Sequence, residues 1–96
     1  MMFIIEIIYT APLDVIDAAM KEHMIFLKKY YSKEIFLVSG RKEPRKGGII
    51  IAKGTDKKQI KKIAQEDPFY KKGLAKFKII EFNASQVSKN IAVLIK

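Results

Sequence analysis

The 96-residue sequence contains no cysteine and no tryptophan, only one histidine, and ten acidic residues against 19 basic ones. The absence of cysteine excludes disulfides, cysteine-ligated zinc or iron–sulfur centres and a cysteine nucleophile. A single histidine, His23, without cysteine predicts no metal site. No apolar run reaches the roughly 18 residues of a membrane span. The apolar start carries Glu6 and lacks a basic leading segment, so we predict no signal peptide and expect a cytoplasmic protein.

The basic excess consists almost entirely of lysine, because only Arg41 and Arg45 are arginines. Arginine's planar fork suits bidentate recognition of bases and phosphates, whereas lysines spread along a chain are typical of a solvated surface. The net charge of +9 predicts weak, non-specific attraction to polyanions. We therefore predict no specific nucleic-acid partner.

The hydrophobic pattern predicts four strands and two helices in the order βαββαβ. The predicted strands share a high content of isoleucine and phenylalanine, and they are Phe3–Thr10, Glu34–Gly40, Ile49–Lys53 and Leu74–Phe82. The first helix begins at Pro12 or Asp14 and ends near Tyr31, and the second begins at Thr55 or Asp56. The segment Arg41–Gly48 is predicted to be a turn.

Two shorter segments complete the prediction. Asp67 is predicted to cap a short helical turn that starts at Pro68 and ends at Gly73. Residues 84–96 form a tail outside the domain of residues 1–83, and we predict that its apolar end is an extra strand or a dimer arm.

This element order predicts the ferredoxin-like α+β fold, in which two helices cover one face of an antiparallel four-stranded sheet. The uncovered face should be polar, but Ile4 and Ile8 alternate with Phe3, Ile5 and Ile7, so both faces are apolar. At about 25 cal/mol per Å² of apolar area, exposing that face would cost several kcal/mol. We therefore expect a homodimer with face-to-face sheets, a dimeric α/β barrel, and leave open a larger assembly of such dimers.

His23 and Asp67 each have a structural and a functional interpretation. His23 lies on the apolar stripe of the first helix, where it is either a hydrogen-bonded core histidine or a general acid/base. Asp67 is either only the cap of its turn or also the carboxylate that orients His23. Their spacing does not decide whether they touch, because that depends on how the helices pack.

Further candidates lie around the end of the second strand. Ser39 is interpreted as a turn residue, a substrate ligand or a nucleophile beside His23. Gly40 follows it, and Arg41 and Arg45 are suited either to anion binding or to structural pairing with Glu43 or Glu6. The glycines of this turn do not follow the Walker or dinucleotide-binding pattern, so no nucleotide cofactor is predicted.

Several short motifs in this order resemble the YciI-like, or YCII-related, proteins over roughly residues 2–83. They are Glu22-His23-Met24, Ser39-Gly40-Arg41, Pro44-Arg45, Gly47-Gly48, Asp67-Pro68-Phe69, Gly73-Leu74 and Ile80-Glu81-Phe82. The resemblance implies a dimeric α/β barrel, similar to muconolactone-isomerase-like enzymes, with the active-site pair at His23 and Asp67. It also implies a site serine at Ser39, as in some members. We further predict that Gly40, Arg41, Arg45 and Phe69 bind the substrate. Many members have Gly-Pro where this chain has Gly40-Arg41, so their substrates do not transfer.

Three functions follow as hypotheses. The first is a cofactor-free and metal-free enzyme that moves protons on a small anionic or phenolic metabolite, as an isomerase, a lyase or, like one enzyme of that family, a dehydrochlorinase. The second is a non-catalytic dimer that binds or senses a small ligand in the same pocket. The third is RNA binding, which is disfavoured because the predicted third strand Ile49–Lys53 has no aromatic residue to stack on bases.

Overall fold

The computed structural model describes residues 1–95, which form one antiparallel four-stranded sheet with helices on one face. The elements are β1 (Met2–Tyr9), α1 (Leu13–Ala18), α2 (Met20–Ser32), β2 (Phe36–Arg41), β3 (Gly47–Lys53), α3 (Lys57–Ala64), α4 (Pro68–Lys71), β4 (Ala75–Phe82) and α5 (Lys89–Ala92). The strand order is β2-β3-β1-β4. The predicted α+β class and the βαββαβ order are confirmed. In the part of the chain that the structure describes, no helix is long and apolar enough to span a membrane.

The first predicted helix is divided into α1 and α2 by a single turn residue, Ala19. Its amide donates to the carbonyl oxygen of Ile16 at 3.0 Å, and the helical hydrogen bonding resumes where the His23 amide donates to Ala19 at 3.1 Å. Both Ile16 and Ala19 are buried, so the apolar spacing continues through the turn. That continuity explains why the sequence pattern predicts one helix.

The core lies between the helices and one face of the sheet. On β1 the buried side chains Phe3, Ile5 and Ile7 alternate with Ile4 and Ile8 on the opposite face. The remaining core residues come from the other strands and from the helices, and they include Phe36, Ile50, Ala52, Ile16, Phe26, Leu27, Tyr30, Ile60, Ile63 and Phe69. The predicted inner positions of α3 are confirmed, because its buried residues are Ile60, Ile63 and Ala64.

Aspartate residues cap the N-termini of α3 and α4. The Asp56 carboxylate accepts from the amide of Gln59 at 2.9 Å and so caps α3. The Asp67 carboxylate accepts from the amide of Phe69 at 2.9 Å and caps α4. Gly73 has a positive φ of 67°, a conformation that glycine adopts at low cost, and it turns the chain into β4. The sequence predicted the Asp67 cap and this terminator, and it left the cap of α3 open between Thr55 and Asp56.

The face of the sheet that the helices leave uncovered has an apolar centre, and the lysines Lys53, Lys76 and Lys78 lie on the same face. Ile8, Val38, Ile80 and Phe82 are exposed on it, with Ile4, Ile49 and Ile51 half-buried beside them. Near its centre, Glu6 is paired with Lys42 at 2.8 Å, and the hydrogen bond from that lysine lowers the pKa of the glutamate. We call this surface the open face.

Within residues 84–95 the C-terminal tail adds no strand to the sheet, so that alternative of the prediction is wrong. Residues 83–88 have no regular structure, and Lys89–Ala92 forms the short helix α5, in which the Ala92 amide donates to Ser88 at 3.0 Å. The Lys53 ammonium donates to the carbonyl oxygen of Leu94 at 2.9 Å. Because these local helical hydrogen bonds occupy the backbone, the segment is not free to pair with an edge strand.

Candidate functional site

The packing of α2 against α4 brings His23 and Asp67 into direct contact. His23 Nδ1 lies 3.0 Å from each carboxylate oxygen of Asp67. Asp67 is fully buried and only 8% of the His23 surface is exposed. The same carboxylate therefore caps α4 and binds the imidazole. The structural interpretation of Asp67 and its contact with His23 are thus both correct.

The contact fixes which nitrogen of His23 carries the proton. A carboxylate accepts hydrogen bonds, so Nδ1–H is the donor and Nε2 is left as the free acceptor of the neutral ring. The Phe69 ring stacks on the imidazole with 4.2 Å between the centroids and 10° between the planes. Among residues 1–95, Nε2 has no hydrogen-bond partner. Asp67 thus holds one edge of the His23 ring and Phe69 one face, and the basic atom Nε2 is left without a partner in that range.

His23 forms part of the wall of a cavity of about 240 Å³. Its lining is mostly apolar and consists of Ile7, Tyr9, Met20, His23, Met24, Leu27, Ser39, Gly40, Arg41, Gly48, Ile49, Ile50 and Phe69. Asp67 is not part of this wall, so Nε2, on the far side of the ring from Asp67, is the nitrogen available to a ligand. Ser39 and Gly48 leave room for the cavity, because they place little or no side chain on the helix-covered face of β2 and β3.

Two of the predicted polar residues, Arg41 and Ser39, line the cavity, and they differ in their contacts. Arg41 is exposed and takes part in no ion pair among the described residues, so its guanidinium is available to an anion in the cavity. The Ser39 hydroxyl lies 2.6 Å from that of Tyr31. This bond joins Ser39 to α2, and no hydrogen bond links Ser39 to His23 among residues 1–95.

Arg45 does not line the cavity. Its guanidinium forms an ion pair with Asp17 of α1, and it pairs with neither Glu43 nor Glu6. The hydrogen bond from Arg45 lowers the pKa of Asp17. The described contacts therefore give Arg45 a structural role: it ties the β2–β3 turn to α1.

The residue before Asp67 anchors this segment to α2 on its other side. The Tyr30 hydroxyl donates to Glu66 at 2.6 Å, and the Lys29 ammonium donates to the other oxygen at 2.9 Å. These two bonds, that of Tyr30 first, lower the pKa of Glu66. Burial, with a further contribution from the hydrogen bond to Glu66, raises the pKa of Tyr30. Glu66 and Asp67 together hold the start of α4 against α2.

Sequence reasoning missed several members of the site. Met24 and Tyr9 line the cavity, and Tyr31 binds Ser39, yet none of them was a predicted site residue. A signal for Met24 was present, because it follows His23 directly and lies three residues before Leu27 on the same side of the helix. Within residues 1–95, no cluster of three or more histidine, cysteine, aspartate or glutamate residues could hold a metal ion.

The family model of the YCII-related domain matches residues 2–83, which is most of the chain. The chain belongs to the YCII-related family. The fold of this YCII-related protein is similar to that of the 5-chloro-2-hydroxyhydroquinone dehydrochlorinase from Burkholderia phenoliruptrix AC1100, solved in complex with 2,5-dihydroxybenzoquinone. The TM-score is 0.75 and the identity 19%, over 86% of this chain and 94% of the other. A search of curated proteins finds no significant match to the YCII-related chain.

Proposed function

We propose that this protein is a small enzyme that transfers protons on a small anionic or phenolic metabolite, in an isomerase, lyase or dehydrochlorinase-like step. It is proposed to act in the cytoplasm, without a metal or an organic cofactor. The observation that carries the proposal is the buried pair of His23 and Asp67, with the free Nε2 beside a cavity. General acid/base catalysis by a positioned side chain contributes about 10²–10⁴ in rate.

The proposed roles follow from the contacts. His23 Nε2 takes a proton from a carbon or oxygen of the substrate, and the imidazolium returns it to another atom or to the leaving group. Asp67 holds the Nδ1–H tautomer and stabilises the imidazolium while it exists. Arg41 attracts an ionised oxygen of the substrate, while Ser39, Gly40 and Phe69 shape the cavity wall.

The size and polarity of the cavity support the substrate class. A volume of about 240 Å³ lies below the roughly 300–1,000 Å³ of drug-sized ligand pockets, so the substrate is small. Its walls are apolar apart from a few polar groups, of which Arg41 carries the positive charge. A small ring with one ionised oxygen fits this combination. The ligand of the dehydrochlorinase of the same fold, a dihydroxybenzoquinone, is of this chemical type.

The test is turnover by matched variants. Wild-type protein is incubated in D₂O with 5-chloro-2-hydroxyhydroquinone and with a panel of small phenols and enols, and halide release and deuterium exchange are measured. We expect His23→Gln and Asp67→Asn to lower the rate about 100-fold or more. Glu22→Gln, which alters an exposed neighbour of His23 outside the cavity wall, should leave the rate within about twofold of wild type.

Two outcomes would count against the enzyme. Turnover that survives His23→Gln unchanged would remove the histidine from the chemistry. Saturable binding of 2,5-dihydroxybenzoquinone without exchange or release on any substrate would support the non-catalytic alternative, a dimer that binds a small ligand in the same cavity.

We further propose that the enzyme is a homodimer in which two open faces cover each other. In residues 1–95 no helix packs across the centre of this face, where Ile4, Ile51 and Ile80 lie on neighbouring strands. The carboxylate of Glu6 on this face is paired with Lys42 and lies opposite Lys78 of the edge strand β4, so it has cationic partners when the face is covered. A second copy presents the same apolar surface, as a two-fold interface requires.

Sedimentation in dilute solution tests the dimer. We expect twice the 11.0 kDa mass of the single chain. Ile80→Lys, which places a charge on the open face, should weaken association about 100-fold, because a buried unpaired charge costs several kcal/mol. Ile25→Lys is the matched control, because Ile25 is 62% exposed on α2 and not on the sheet. A monomeric wild type, or equal effects of the two variants, would contradict this interface.

A further inference from the structure

A second cleft lies between α3 and the edge strand β4, on the same side of the sheet as the helices. Its volume is about 420 Å³, and its lining consists of Lys57, Lys61, Ala64, Gln65, Tyr70, Phe77, Lys78 and Ile79. It shares no residue with the cavity beside His23. Because Phe77 and Ile79 point away from the open face, a dimer formed through that face leaves the cleft accessible.

The floor of the cleft is aromatic and apolar. The rings of Tyr70 and Phe77 meet edge to face, with 5.9 Å between the centroids and 87° between the planes. Tyr70 is 45% exposed, while Phe77 and Ile79 are half-buried. A ligand with a flat apolar body would remove this surface from water and stack against the rings.

The rim of the cleft is positively charged without nearby compensation. Lys57 and Lys61 are four residues apart on α3, so they lie on the same side of the helix and repel each other. None of the ion pairs among residues 1–95 includes either of them. Lys78 also borders the cleft, but its side chain lies on the open face, opposite Glu6.

The acidic residues around α3 are engaged elsewhere. Asp56 caps the helix through the amide of Gln59, Glu66 binds Tyr30 and Lys29, and Asp67 binds His23. The helix itself contains no aspartate or glutamate. Glu81 lies two residues beyond Ile79 on the same face of β4, but it does not line the cleft. Among the described residues, the lining of the cleft therefore contains lysines and no carboxylate.

We infer that this cleft is a binding site for a small amphipathic anion, a flat apolar body that carries a carboxylate, sulfonate or phosphate. The apolar body lies on Tyr70 and Phe77, and the anionic group sits between Lys57 and Lys61. This site is separate from the proposed acid/base chemistry, and it does not depend on whether that chemistry occurs.

The test uses 2-naphthoate and its uncharged amide, 2-naphthamide, as probes on the ¹⁵N-labelled wild-type protein. We expect saturable shifts of the backbone amides of α3, α4 and β4 with 2-naphthoate, and binding of 2-naphthamide about tenfold weaker or more, because a charged hydrogen bond is lost. The double variant Lys57→Gln/Lys61→Gln should weaken 2-naphthoate binding about tenfold or more.

Lys58→Gln/Lys62→Gln is the matched control, because it removes the same charge from the same helix at positions outside the cleft. This control should change the affinity less than about twofold. Equal losses in the two double variants would reduce the effect to diffuse net charge and overturn the site. Shifts centred on the His23 cavity or on the open face, or no binding of 2-naphthoate, would overturn it as well.

Discussion

Replacement of Asp67 by alanine is expected to lower the free energy of unfolding by about 3 kcal/mol, whereas the same change at Asp56 should cost about 1 kcal/mol. Both residues cap a helix through a carboxylate that accepts a backbone amide. They differ in what else they do. Asp56 is exposed and only caps α3, while Asp67 is fully buried and also binds the imidazole of His23.

The difference follows from the groups left behind. Loss of a helix cap costs about 1 kcal/mol in either place. At Asp67 the truncation also strands the Nδ1–H of a buried imidazole, and an unsatisfied buried donor costs about 1–3 kcal/mol. Urea unfolding of the two alanine variants at neutral pH measures the contrast. Equal losses at the two positions would mean that the His23–Asp67 bond contributes nothing to stability.

A double-mutant cycle separates the bond from the cap. His23→Phe keeps an aromatic ring that can stack on Phe69 but removes the donor to Asp67. We expect the sum of the losses of unfolding free energy in the two single variants to exceed the loss in the double variant by about 1 kcal/mol or more. Additive effects, within about 0.5 kcal/mol, would contradict the bond. The fold is expected to survive in all three proteins, because the remaining core is unchanged.

The sequence was sufficient to predict the elements that carry this pair. The isoleucine-rich strands and the Asp-Pro cap are local signals, and both are present where they were expected. The contact between His23 and Asp67 was not a local signal, because 44 residues separate them. Two things made the contact plausible before the geometry was known: the βαββαβ topology, which places both helical segments on one face, and the resemblance to the YciI-like proteins.

Other features of the site depend on tertiary detail that the pattern does not contain. The partner of Arg45 is Asp17, whereas the sequence suggested either an anionic ligand or a glutamate, Glu43 or Glu6. The bond from Tyr31 to Ser39 depends on where α2 ends relative to β2. The cavity arises where several elements pack without filling the space between them, so it cannot be predicted from any single segment of the sequence.

The glycines between β2 and β3 show the same limit. Sequence reasoning assigned Gly47 and Gly48 to the turn, because glycine pairs usually mark turns. In the structure both belong to β3, opposite Ile8 and Ile7 of β1. Because these residues have no side chain, the backbone of β3 can approach its neighbours closely. A side chain there would clash with the neighbouring strand or project into the cavity.

Gly47→Ala is accordingly expected to destabilise the protein by about 3 kcal/mol or more, because the new methyl group overpacks a buried site. A Cβ at this position would lie 1.8 Å from the backbone oxygen of Ile7, so β1 and β3 would have to separate. Since Ile7 and Gly48 line the cavity, the variant should also bind 2,5-dihydroxybenzoquinone more weakly if that compound binds there. Gly40→Ala is the control for stability alone, because its Cβ would meet nothing within 4 Å. Thermal unfolding of the two variants decides the matter: equal stabilities would show that β3 tolerates a side chain at position 47 and that its approach to β1 is not close.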